Sequence, residues 1–272
     1  MSKPPHYELP IWLNWIKDAS GWLLPILLIA FWDIAARYGW ITSKILPAPS
    51  DIVHAAINLS LSGEIFKNIL ISTKRAAGGL LIGGSIGLIL GLLNGIFRPA
   101  DRYLDTTIQM IRNVPHLALI PLVIIWFGIG EEGKIFLVAL GVFFPIYANT
   151  YHGIKMADPQ LLEMGRVYDL NHWQLFTQII FPSALPSILV GLRYALGFMW
   201  LTLIVAETIA TTSGIGYMAM NAREFMQTDV VVLAILIYAL LGKLADTAAH
   251  LLELRLLQWH PNFRHSRSKL KY

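Results

Sequence analysis

Long apolar stretches separated by short polar ones dominate the chain. Ala76 to Phe97, Asn113 to Gly130 and Ile135 to Ile154 contain no Asp, Glu, Lys or Arg. A helix crossing the hydrocarbon core of a bilayer needs ~20 mostly apolar residues, so each stretch predicts a span. Three further apolar runs carry charge: Asp33 and Arg37 close the first, Arg193 lies inside another, and Lys243 and Asp246 lie inside the last. The pattern predicts six membrane-crossing helices, at about 19–38, 76–97, 108–128, 135–154, 183–206 and 230–252. A polar N-terminal segment (1–18) precedes this 19–257 membrane domain, and a basic tail (258–272) follows it. No small-residue cleavage site follows the first apolar run, so the first helix is expected to be retained.

Composition sharpens this into an all-α membrane protein. Hydrophobic residues make up 56% of the 272 and charged ones 14%, against ~25% charged in a soluble domain. A soluble fold of this size could not hide so much apolar surface. Cysteine is absent, which excludes disulfides, thiolate metal sites and a cysteine nucleophile. The net charge of +4 is spread between apolar runs, which gives no stripe for nucleic acid. Trp12, Trp15, Trp22, Trp40 and Trp259 fall near expected span ends, where an interfacial aromatic belt would sit. Placing both termini in the cytoplasm puts more Lys and Arg inside than outside, with Arg255, Arg264, Arg267, Lys269 and Lys271 making the difference. The positive-inside rule therefore leans to that orientation.

Within the second expected span, Gly79, Gly83, Gly87, Gly91 and Gly95 recur at four-residue intervals. Such a series permits close helix approach. Because four residues overshoot a turn by ~40°, the stripe is expected to wind around the helix and serve more than one neighbour. Tight packing inside one subunit is the favoured reading, with subunit contact or sliding as the sharper one. Pro115, Pro121, Pro145 and Pro186 are expected to bend or end helices. Between the first two spans, Pro47-Ala48-Pro49-Ser50-Asp51 predicts a turn with Ser50 or Asp51 as N-cap. Ile52, Ala55, Ala56 and Leu59 then predict an amphipathic helix, lying in the interface or covering the bundle.

The stretch 158–182 is the most informative. Asp158 is a suitable N-cap with Pro159 at the first helical position, and a short helix is expected to about Tyr168. Asp169 to Asn171 break it, Asn171 and Gln174 can form a capping box, and Pro182 is expected to mark the start of the next span. The product is a helix–turn–helix with Leu161, Leu162, Met164, Val167 and Tyr168 available for docking a protein.

This spacing is similar to the EAA loop of ABC-importer permeases, Glu-Ala-Ala, three residues, Gly, nine residues, Ile-x-Leu-Pro. Glu163, Met164 and Gly165 fill the triplet, Asp169 stands where the pattern has Gly, and Ile179, Phe181 and Pro182 close it. From Trp22 to about Trp259 the chain resembles the permease subunit of aliphatic sulfonate importers, in the nitrate, sulfonate, taurine and bicarbonate group. The closest stretches are 112–121, 198–208, 213–217, 220–225 and 241–246. The resemblance implies a type I ABC-importer permease fold in a bacterial inner membrane. It implies a homodimer, two cytoplasmic ATPase subunits docked on Glu163, Met164, Gly165, Asp169 and Pro182, and a periplasmic or lipid-anchored solute-binding protein. No GxxxxGK[ST] occurs, so this chain is expected to bind no cofactor itself, ATP being used by the partner subunit.

An aliphatic sulfonate needs donors for its head and an apolar wall for its tail. Arg193 is the first candidate, since an intramembrane cation usually faces an interior or a cavity. The structural alternative, a pair with Asp246 or Glu163, is favoured over it. Lys243 and Asp246 are read as a structural pair. Glu207 and Thr208, followed by Thr211, Thr212, Ser213 and Gly214, could line an outer gate, a capped loop being at least as apt. His116 is read as a packed side chain. No cluster with metal-ligand spacing and no nucleophile–base pair is present in the sequence, so catalytic and metal residues are set at none. Taurine, nitrate, bicarbonate or a pyrimidine precursor are alternative cargoes. An intramembrane enzyme is the rival outside transport, and the polar motif it would need is missing.

Overall fold

The computed structural model describes residues 11–42, 45–209 and 211–259. The segment 1–10, the side chains of Trp12, Trp15 and Trp22, and the tail from His260 lie outside the described residues. Helices α1 (Ile11–Arg37), α2 (Pro49–Leu61) and α3 (Glu64–Ile96) come first. Next are α4 (Arg98–Arg112), α5 (His116–Phe127), α6 (Glu131–Lys155) and the short α7 (Pro159–Val167). The chain closes with α8 (His172–Thr208), α9 (Ile215–Glu224) and α10 (Thr228–Leu256). No strand occurs among the described residues.

Four helices, α3, α6, α8 and α10, are long and apolar enough to cross a membrane, and a bent α4–α5 pair makes a fifth. The remaining expected span, 19–38, falls in α1, part of whose side chains lie outside the described residues. The span expected at 108–128 is broken, with α4 and α5 meeting at an angle of 82°, in line with the bend expected from its prolines. Pro115 explains the break, because it removes an N–H and pushes Val114 out of the helical region. The expected restart at Pro182 is corrected. The α8 helix runs on from His172 through a π turn at Phe176–Ile180, so the proline is absorbed at the first turn of a continuing helix rather than forming a boundary.

The central rod is α6. Its apolar window is 56% buried, against 28% for α3 and 17% for α10. The glycine stripe of α3 lies along it. A Cβ at Gly79 would collide with Val138, at Gly83 with the Ala139 carbonyl, and at Gly87 with the Phe143 carbonyl at 2.7 Å. The series ends on Thr150 for Gly91 and Ile154 for Gly95. All five face one neighbour, which corrects the expectation of several. The contacted positions on α6 also advance by about four residues, so the two helices wind together and the stripe never leaves the seam. The packing reading of the stripe is therefore the one realised.

On its other side α6 meets α8, where a Cβ on Gly191 would lie 3.0 Å from the Pro145 carbonyl. Val138, Val142, Leu203 and Ile215 have no exposed surface and anchor the core. The α2 helix starts at Pro49, with Ala48 as N-cap and no side-chain cap bond. This corrects Ser50 and Asp51: Pro49 already has the helical φ and no N–H to satisfy. Ile52 and Ala55 are buried and Ala56 and Leu59 pack on the same core, so α2 covers the bundle.

Candidate coupling loop and polar sites

The stretch 158–182 folds as a rigid projection. The Asp158 carboxylate accepts from the Gln160 backbone N–H at 2.8 Å, satisfying one orphan donor of α7. The Gln174 backbone N–H donates to Asn171 Oδ1, and the side-chain Oε1 of Gln174 accepts from the Asn171 backbone N–H, both at 2.9 Å. This is a complete capping box on α8. Between the two caps, Asp169 has φ of 55°, the left-handed conformation that a glycine would adopt without cost. The loop geometry is thus kept despite the Asp.

Gly165 is the contact point of the two helices. Its absent side chain leaves room for Leu175 and Ile179, whose methyls would lie 2.6 and 2.8 Å from a Cβ. Leu175 is buried beneath. Glu163 and Met164 sit on the exposed face of α7. Around them Leu161, Val167, Tyr168 and Trp173 form an apolar crest, with Val167 80% and Trp173 71% exposed. Pro182 lies on α8, beyond the π turn and away from that crest. The projection is firm inside and sticky outside.

At the opposite end of the bundle a buried polar network ties five helices together. Glu207 is fully enclosed and accepts from the Ser72 hydroxyl at 2.8 Å, Arg75 Nη1 at 2.7 Å, the Gly216 N–H at 3.0 Å and the Tyr238 hydroxyl at 2.9 Å. Arg75, 2% exposed, also holds Glu131 through two parallel hydrogen bonds of 2.5 Å and donates to the Ser213 carbonyl at 2.7 Å. Asn68 accepts from the Gly214 N–H at 2.9 Å. A Cβ on Gly214, at φ of 106°, would lie 2.5 Å from the Glu207 carboxylate. Glu207 thus has four donors and no open face, as a keystone requires and a passing solute does not. Thr208 bonds the Val205 carbonyl at 2.8 Å, closing the last turn of α8.

Arg193 has the structural fate foreseen for it. Its Nε donates to Asp246 at 2.6 Å, and Nη1 lies 3.9 Å from Glu253. Lys243 approaches the other Asp246 oxygen at 3.4 Å. The group lines a cavity of 740 Å³ between α8 and α10, which Asp246 and Glu253 also line. Two carboxylates around one guanidinium leave it little capacity for another anion. The site residues the sequence nominated therefore separate into four places: the 158–169 projection with its crest, Pro182 on α8, the Arg193 pair and the Glu207 keystone. Arg75, Ser72, Glu131 and Tyr238 were missed as network members. Arg75 directly precedes an uncharged run, and only the crossing of α3, α6, α8 and α10 brings its partners together. Among the described residues no group of His, Asp and Glu could hold a metal ion.

Comparison with known proteins places this architecture. Residues 83–258 match the family described as binding-protein-dependent transport system inner membrane component, and the chain belongs to it. It is 59% identical over 250 residues, covering 92% of this chain and 95% of the relative, to an Escherichia coli protein described as a putative aliphatic sulfonates transport permease, SsuC. The Bacillus subtilis protein of that description is 46% identical over 250 residues, covering 92% of this chain and 90% of the relative. The taurine transport permease TauC of Escherichia coli is 33% identical over 242 residues, covering 87% of this chain and 88% of the relative. The chain is a multi-pass membrane protein of the permease class.

Proposed function

We propose that this chain is the membrane-spanning subunit of an ATP-driven, binding-protein-dependent importer of aliphatic sulfonates. In this reading two copies form the pathway and the termini and the 158–182 loop face the cytoplasm of a bacterial inner membrane. One ATPase subunit docks on each loop, and a solute-binding protein delivers substrate at the opposite end. The chain binds no nucleotide, and ATP is hydrolysed by its partner. Alternating access moves the substrate across the surrounding lipid.

The observation that carries the reading is the crest of Leu161, Met164, Val167, Tyr168 and Trp173 on a projection stiffened by two caps and the Gly165 contact. Exposed apolar residues gathered on a rigid projection mark a surface suited to docking a protein partner. The 59% identity to a sulfonate permease over nearly the whole chain supports the cargo. The 33% identity to a taurine permease makes taurine the second cargo to test.

The test is reconstitution with the ATPase and the binding protein in proteoliposomes. Uptake of alkanesulfonates is expected to exceed that of taurine and nitrate and to require ATP on the ATPase side. Glu163→Lys is expected to abolish that uptake and release the ATPase from the complex. Normal transport by Glu163→Lys would remove the docking role, and uptake of taurine or nitrate alone would replace the cargo.

A further inference from the structure

A second cavity, of 380 Å³, lies where α4, α5, α6 and α8 meet. That volume is within the range of small-molecule sites. It sits against Gly141 to Asn149, the middle of α6, and so halfway along the most buried span. It forms at the 82° break between α4 and α5. Arg112, the last residue of α4, and His116, the first of α5, line it from one side. Phe144, Tyr194 and Phe198 line it from the other.

Its charge is the reverse of the Arg193 cavity. Among the described residues no carboxylate lines it, and Arg112 makes no ion pair. His116 is half-buried, and its Nε2 lies 3.5 Å from the Thr202 hydroxyl. His116, read from the sequence as a packed side chain, is half-buried and also lines this space. The start of α5 adds backbone N–H groups and the positive end of a helix dipole beside Arg112. Arg112 is exposed toward this space with no carboxylate beside it, so its guanidinium is open to an anionic ligand.

We propose that this cavity is the intramembrane binding site for the transported organic sulfonate, with Arg112 holding the anionic head and Phe144, Tyr194 and Phe198 holding the aliphatic tail. The inference deepens the sulfonate-permease reading and rests on it. A guanidinium meets two oxygens of a sulfonate through parallel hydrogen bonds, as it does those of carboxylate and phosphate. His116 and the Tyr194 hydroxyl offer further donors for the third oxygen. The tail, which makes no hydrogen bond, lies on three aromatic faces. Broken helices that present a positive terminus at mid-membrane hold anionic groups in other transporters.

The assembled transporter in proteoliposomes supplies the test, with the binding protein saturated in turn by methane-, butane- and octanesulfonate. Arg112→Gln is expected to lower uptake of all three at least tenfold, with partial recovery in Arg112→Lys. Ala148→Leu, which narrows the cavity, is expected to lower the octane-to-methane uptake ratio at least fivefold while the protein assembles with its ATPase as before. If Arg112→Gln transports at the wild-type rate, or if Ala148→Leu keeps the wild-type ratio, the inference is overturned. Should Arg112→Gln fail to assemble, the Ala148→Leu ratio decides alone. The sulfonate reading itself falls only if the unmodified transporter takes up none of the three.

Discussion

At the scale of single residues, Gly165 and Asp169 set the shape of the 158–182 projection, and each does so through its backbone or its lack of a side chain. A valine at 165 would place its Cβ 2.6 Å from Leu175 and 2.8 Å from Ile179. Overpacking of this kind costs ~1–3 kcal/mol, and the two helices must separate to accept it. Gly165→Val is expected to leave ATP hydrolysis running without sulfonate uptake, measured as both rates on the same proteoliposomes. Equal coupling ratios in variant and parent would contradict the role given to this contact. Asp169, at φ of 55°, makes a reciprocal case. Asp169→Val is expected to destabilise by ~1–2 kcal/mol, the cost of a left-handed conformation without glycine. Asp169→Gly is expected to hold or raise stability, and thermal unfolding in detergent separates the two. The turn was legible in the sequence because Asp169 to Asn171 interrupt the helical pattern. The sign of φ was not, since Asp takes both conformations.

At the scale of elements, the seam between α3 and α6 shows why a repeat in sequence becomes a surface. The glycines expose backbone along one line, and α6 follows that line rather than crossing it. Gly83→Ala sets a methyl against the Ala139 carbonyl, a backbone group that cannot rotate away. Gly78→Ala, one position from the stripe, meets only the Ile135 side chain at 3.7 Å. The first variant is expected to lower the unfolding temperature and membrane yield sharply. The second is expected to be neutral or to gain up to ~1 kcal/mol from helix propensity. Similar losses for both would mean that the stripe is not the seam. The spacing was plain in the sequence. Its single partner was not, because the choice between winding past several helices and winding with one belongs to the path of α6.

At the scale of the whole molecule, the two ends of the bundle are built for different work. One end carries the exposed crest on its firm projection. At the other end, Glu207 and Arg75 lock α3, α6, α8, α9 and α10 into a unit. Removing one partner of such a buried pair leaves an uncompensated charge and costs ~3–5 kcal/mol. Arg75→Met is therefore expected to unfold the protein at markedly lower temperature. Lys243→Met, whose side chain is 74% exposed beside Asp246, is expected to change stability by no more than ~1 kcal/mol. Comparable melting shifts for the two would show that the network does not act as a keystone. Glu207 stood out in the sequence as a charge at the end of a span, where an outer gate was one reading. Its four donors come from α3, α9 and α10, so no local pattern could reveal that it is closed to solutes.

The sequence by itself determined the class. Apolar runs of bilayer length, scarce charge and the spacing from Asp158 to Pro182 carry that information locally, because hydrophobic periodicity, caps and turns act over a few residues. The same local rules located the Lys243–Asp246 pair. Only the tertiary structure decided that Arg112 is open while Arg193 is shared between Asp246 and Glu253, that Pro115 folds α4 against α5, and that Pro182 does not interrupt α8. Each depends on which residues from distant parts of the chain face one another, and that is fixed by how the helices pack rather than by the order of residues along any one of them.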